Sequence, residues 1–293
     1  MTLTDNIKGA LWMSASMAGF VVNDTLMKSL SGEVPQFQAI FVRGLFASSV
    51  ILFLAWRSGA LKFRPGPKDR TLLSWRVFSE VLTTCFFLTA LFNMPLANAV
   101  AILQAATLGV PLCAAIFLGD RVGWRRYLAI GIGFFGVLMI VRPGGEGFNI
   151  YSIFALAAVA TIVMRDLVTR QISRAVPGLG VTVLTSLAIT ALGAVGTVVG
   201  GHVPVTLPIV VVLAASSCFL LVGYYAGVEA MRVGEVGVVS PFRYTNLIWA
   251  LILGLLVFGD FPDALTIVGA IIVVASGLYT LHRERIRKEE PTT

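Results

Sequence analysis

The chain has 293 residues, of which 57% are hydrophobic and 13% charged, with a mean hydropathy of +0.88. Ordinary soluble domains carry about 25% charged residues, so this composition excludes a water-soluble globular protein. The formal net charge is +7; its distribution follows membrane sidedness and gives no reason to invoke nucleic acid.

Apolar runs of about 20 residues match a hydrocarbon core about 30 Å thick. Ten follow one another, at roughly 9–28, 36–56, 72–91, 96–117, 124–141, 150–169, 179–200, 207–229, 236–257 and 264–282. They are too long and unbroken for the alternating strands of an outer-membrane barrel. The expected fold class is therefore an all-α polytopic membrane protein with ten transmembrane helices in a lipid bilayer. The first run lacks an A-x-A-like exit and reads as a retained helix, not a cleaved signal. Residues 286–293 read as a charged cytoplasmic tail. Cys85, Cys113 and Cys218 fall within spans, and His202 and His282 at span ends. No Cys/His spacing suggests a metal site, and no cofactor motif is evident.

With ten spans, both termini share one side. Eighteen of the 22 Lys and Arg residues fall on that side, against Lys28 and Arg142 opposite and Arg43 and Arg243 within spans. The positive-inside rule then places both termini in the cytoplasm.

The chain also repeats itself. "NDTLMK" at 23–28 aligns with "RDLVTR" at 165–170, and "IFLGDRV" at 116–122 with "LVFGDFP" at 256–262. This divides it into residues 1–143 and 150–285, five spans each. An odd number of spans inverts the second half relative to the first, as in secondary transporters with a substrate site between the repeats.

The stretches "PLANAVAILQAATLGVPLCAAIFLGDRVGWRRYLAIGIGFFGVLMIVRPG" (95–144) and "GEVGVVSPFRYTNLIWALILGLLVFGDFPDALTIVGAIIVVASG" (234–277) resemble the C-terminal parts of two EamA repeats. The resemblance, to the drug/metabolite transporter superfamily, covers nearly the whole chain. It implies two inverted five-helix repeats and transport of small metabolites.

A charge in hydrocarbon costs at least about 2.5–3.5 kcal/mol on insertion scales, so it faces a cavity or a partner. Asp24 and Arg43 share a depth in the outer half. Glu80, Arg165, Asp166 and Arg243 lie in the inner half. Equal depth suggests Asp24–Arg43 as an outer gate, and Glu80 or Asp166 with Arg243 as an inner one. The other reading makes them static ion pairs that fix helix packing. Lys28 and Arg170 can snorkel to the interfaces. Between the gates fall Gln104, Asn246 and Trp249, with Ser16, Phe20 and Tyr224 facing the same space. Amides could hydrogen-bond a zwitterion, and Trp249 could stack on a cation or ring; helix linkage or simple packing are the plainer roles. Pro111 and Pro241 remove backbone bonds at non-equivalent positions, which predicts asymmetric kinks.

The expected function is secondary active transport of small polar or zwitterionic metabolites, such as amino acids or related amines, across a bacterial inner membrane. Asp24 or Glu80 could carry a coupling proton. Two readings remain beside it: a riboflavin-like vitamin transporter, and a non-transporting receptor or assembly subunit. No Walker A loop and no H-E-x-x-H or G-x-S-x-G motif occurs, so neither ATP drive nor an enzyme is expected.

Overall fold

The computed structural model of the chain describes residues 3–119, 123–144, 149–173 and 175–289. Asp120, Arg121 and Arg174, used above in the repeat and the charge count, lie outside them. The described residues form twelve α-helices and no strand: α1 (Leu3–Ser29), α2 (Gln36–Arg57), α3 (Pro67–Asn93), α4 (Leu96–Leu103), α5 (Ala106–Phe117), α6 (Trp124–Val141), α7 (Tyr151–Gln171), α8 (Gly178–Gly200), α9 (Leu207–Val233), α10 (Val236–Val239), α11 (Thr245–Phe258) and α12 (Ala264–Glu289). A 3₁₀ turn, Ser240–Tyr244, joins α10 to α11. Prolines mark several starts: Pro35, Pro95 and Pro177 directly precede α2, α4 and α8. Their fixed φ suits the entry to a helix, and their missing N–H would be unsatisfied there in any case.

Nine spans among the described residues are long and apolar enough to cross a membrane, with α4–α5 counted as one and 240–258 as another. The chain is a multi-pass membrane protein. α1, the tenth helix, is long enough but less apolar, because Asn23, Asp24, Thr25 and Lys28 crowd its last turns. Asn23, Thr25 and Lys28 are buried inside the bundle, away from lipid.

Element starts recur 140 to 142 residues apart: 36 and 178, 67 and 207, 96 and 236, 124 and 264. The packing recurs with them. α1 lies chiefly on α9, α2 on α8, α3 on α7 and α6 on α12. Exchanging the first five spans for the last five maps α1–α9 onto α7–α3, and the other two pairs onto themselves.

Small residues let these pairs approach closely. A Cβ at Gly19 would meet the carbonyl of Phe219 at 3.0 Å, and one at Gly136 the carbonyl of Gly269 at 2.7 Å. Hydroxyls cross-link the same pairs. Ser16 donates to the Gly223 carbonyl (2.7 Å), Thr83 to Thr161 (2.8 Å), and Ser48 lies 2.8 Å from Thr190. Arg142, at the end of α6, pairs with Asp263, which also accepts from the Thr266 amide at the start of α12. Burial pushes the Asp263 carboxyl up, but the Thr266 and Arg142 donors outweigh it and hold it below the usual range. This link is therefore present at neutral pH and is lost only as pH falls through the lowered value.

The main apolar core fills one half of the bundle. It joins Val21 and Met27 of α1, Leu30 just after it, Leu88 and Leu91 of α3, Leu96, Ala99, Val100, Ala101 and Ile102 of α4, Val137 and Ile140 of α6, and Ile209 and Leu213 of α9. These residues lie toward the end where α1 and α3 finish. The other end carries most of the cations and is not sealed in this way.

Gly136→Leu should lower the thermal unfolding temperature by several degrees, because overpacking a tight contact costs about 1–3 kcal/mol. Gly131→Leu, five residues earlier on the same helix with nothing within 4 Å, should not. Tryptophan-fluorescence melts of the two variants in detergent check this.

Candidate functional site

Beyond the sealed core lies a cavity of about 850 Å³. Its walls come from both halves of the chain. α1 contributes Met13, Ser16, Met17 and Phe20, a stripe at i, i+3, i+4 and i+7 that one helix face presents to one side. α7 contributes Ile162, Arg165, Asp166 and Arg170, at i, i+3, i+4 and i+8, again from one face. Gln104, Thr107 and Pro111 line it from the fourth span, Tyr224 and Arg232 from α9, and Arg243 and Tyr244 from the 3₁₀ turn.

Two spans that line the cavity are interrupted by a tighter turn, with the backbone still in the right-handed helical region at Gln104 and Ala105. α4 stops at Leu103 and α5 restarts at Ala106. The ninth span is interrupted by the 3₁₀ turn ending at Tyr244, 140 residues on from Gln104. These turns thus fall at equivalent positions. The prolines themselves are placed asymmetrically, with Pro241 inside the 3₁₀ turn. Pro111 sits inside an unbroken α5, where its missing N–H affects only the Thr107 carbonyl in the first turn. The two turns are tied together. Tyr244 Oη lies 2.8 Å from Thr107 Oγ1, which donates to the Gln104 carbonyl at 2.7 Å. With the threonine hydrogen used there, the tyrosine donates to the threonine.

Nine of the residues singled out in the sequence line this cavity: Ser16, Phe20, Gln104, Pro111, Arg165, Asp166, Arg170, Tyr224 and Arg243. Phe20 meets Tyr224 edge to face, ring centroids 5.2 Å apart. Gln104 is 7% exposed, and its Nε2 has no hydrogen-bond partner among the described residues. Asn246 and Trp249 do not line the cavity. They follow Tyr244 by two and five residues on α11, which turns them to other faces of the helix. Trp249 packs against the main core instead.

The charged residues pair differently from the depth argument. Glu80 binds Arg165 at 3.3 Å, and Arg165 Nε donates to Asp166 at 2.9 Å. Arg243 takes no part, because α3 packs on α7, which carries Arg165, and the 3₁₀ turn stands across the cavity. At the other end, Asp24 and Arg43 are joined through Asn23, with no direct ion pair among the described residues. Asn23 donates to Asp24 (2.9 Å) and accepts from Arg43 (3.3 Å) and from Ser216 (2.8 Å). Neither Asp24 nor Arg43 lines the cavity.

Lys28 does not snorkel. It is 9% exposed, and its Nζ donates to the carbonyls of Leu91 (3.1 Å) and Met94 (2.6 Å), with the Phe258 ring centroid 5.3 Å away. It thereby satisfies carbonyls that the end of α3 leaves without helical partners. Sequence reasoning missed this lock and the Thr107–Tyr244 link. The first depends on which chain end lies beside Lys28, and the second on a contact 137 residues apart. Met13 and Met17 were also missed, although their helical spacing from Phe20 is a signal that could have found them.

Glu80→Gln should destabilise the protein measurably, since it leaves Arg165 with one partner. A double-mutant cycle with Arg165→Gln should give a coupling energy of about 1–3 kcal/mol, measured from denaturant or thermal unfolding in one detergent.

Comparison with known proteins follows the same lines. Residues 7–142 match the EamA-like transporter family. An S-adenosylmethionine uptake transporter of Rickettsia prowazekii is 22% identical, over 95% of this chain and 94% of its own length. The pseudopaline exporter CntI of Pseudomonas aeruginosa is 27% identical over 88% and 90%. A riboflavin transporter of Vibrio cholerae is 25% identical over 92% and 91%. A solved crystal structure matches with a TM-score of 0.64, covering 97% of this chain and 99% of that one at 18% identity, which shows the shared fold. Over residues 7–142 the chain is thus similar to the EamA-like transporter family, and along most of its length it is similar to curated small-molecule transporters.

Proposed function

We propose that this protein is a secondary active transporter of small polar or zwitterionic metabolites in a bacterial inner membrane, working by alternating access between two inverted repeats. The carrying observation is the cavity of about 850 Å³, walled by both halves, with the core at one end and arginines bordering the other. The recurring element starts and the self-mapping helix pairs support the repeat reading, with residues 1–143 and 150–285 as its units. Both termini lie in the cytoplasm on this reading, so the arginine-rich end faces inward and the structure is an inward-open state. Relatives named for uptake and for export align along most of the chain, which suits a mechanism reversible in direction.

The Asn23–Asp24–Arg43 cluster and the Lys28 lock hold the outer side, and Glu80–Arg165–Asp166 borders the cavity. Asp24 or Glu80 serves as the site of a coupling proton. A riboflavin-like substrate is the second reading, favoured by the relative named for it and by the Phe20 and Tyr224 rings in the wall.

Proteoliposomes containing the purified chain should take up or exchange a labelled amino acid, amine or flavin faster than empty liposomes. Gln104→Leu should reduce the rate at least several-fold. Asp24→Asn and Glu80→Gln should abolish any dependence on a pH gradient. Saturable ligand binding with no flux in either direction would favour a receptor and remove the transport reading.

A further inference from the structure

The charges around the cavity point to a ligand class. Five lining side chains are arginines (126, 165, 170, 232 and 243) and a single one, Asp166, is acidic. Arg165 is matched by Glu80 and Asp166, and Arg232 by Glu229 at 3.3 Å. The Arg243 guanidinium makes no hydrogen bond or ion pair among the described residues. It stands on the 3₁₀ turn beside Tyr244, whose hydroxyl ties that turn to Thr107 and so to the turn at Gln104. On that second turn, the Gln104 amide donor is buried and has no hydrogen-bond partner among the described residues. Arg243 and Gln104 thus line one cavity from the corresponding turns of two spans.

We propose that Arg243 and Gln104 form an anion subsite, and that the transported molecule carries a carboxylate or phosphate group there. This rests on the transport reading and specifies its substrate. Arg243 neutralises the anion through the two-pronged geometry that suits carboxylate and phosphate oxygens. Gln104 donates one further bond and fixes orientation. The α1 stripe of Met13, Met17 and Phe20, which lines the same cavity, takes the apolar body of the molecule. A zwitterion satisfies the subsite through its carboxylate, with Asp166 across the cavity for its ammonium; a purely cationic amine does not.

The test is thermal unfolding of the full chain in phosphatidylcholine nanodiscs, where no lipid headgroup carries net negative charge. The probes are phenylpropionate, phenyl phosphate, phenylpropionamide and phenethylamine. Either or both anions should raise the unfolding temperature in a dose-dependent way, and the amide and amine should not. Arg243→Gln should weaken the apparent affinity roughly tenfold or more, Arg243→Lys should restore part of it, and Gln104→Leu should weaken it less. Arg232→Gln, whose partner is Glu229, should have little effect. The proposal falls if the amine or amide stabilises as well as the anions, if no probe stabilises, or if Arg243→Gln binds like the parent. Arg243-dependent binding without liposome flux would keep the subsite and remove the transport reading. Flux of a cation or neutral solute unchanged by Arg243→Gln would keep transport and remove the subsite.

Discussion

Lipid offers no hydrogen bonds, so each polar group placed inside this bundle must find a partner there or face a space where solutes enter. In the sealed half some buried polar residues are fully partnered, while Asn98 Oδ1 and Thr266 Oγ1 have no partner among the described residues. Lys28 caps α3, and Asn23 serves Asp24, Arg43 and Ser216 at once. The polar residues around the cavity are only partly satisfied, with the Gln104 amide and the Arg243 guanidinium left over. These two groups lie where the spans themselves are interrupted, which is where irregular backbone is tolerated in a membrane.

The packing gives this division a mechanical meaning. The principal pairs, α1–α9, α2–α8, α3–α7 and α6–α12, are held by glycine contacts and short hydroxyl bonds. Such pairs move as units more readily than they separate, because small-residue interfaces are densely packed and poorly compressible. Opening the sealed end would have to release Lys28 from the α3 carbonyls and re-solvate the Asn23 cluster. Closing the cavity would bring its arginines together, a step that an anion among them would ease by screening like charges.

Much of this was legible in the sequence for a simple reason: hydrocarbon thickness fixes span length, and burial cost fixes where charges are tolerated. The spans, their order and the convergence of Ser16, Phe20, Gln104, Tyr224, Arg165 and Asp166 follow from those two facts. Pairing did not follow. Depth along the membrane normal is one coordinate, and a pair also needs neighbouring helices. Glu80 and Arg243 share a depth, yet α3 neighbours α7, so Arg165 is the partner. Register on a short half-helix was equally hidden. Placing Tyr244 toward the cavity turns Asn246 and Trp249 away, and no periodicity longer than α11 itself reveals that. The Gln104 turn had no proline to announce it.

The most direct test is access to the cavity wall from each side of the membrane. In a background lacking Cys85, Cys113 and Cys218, Val110→Cys would be exposed to a membrane-impermeant thiol reagent in right-side-out and in inside-out vesicles. The account predicts rapid labelling from the cytoplasmic face and at least tenfold slower labelling from the outside, with the ratio shifting when a transported solute is added. Equal labelling from both faces, or faster labelling from the outside, would contradict a cavity sealed by the core and entered from the arginine-rich end.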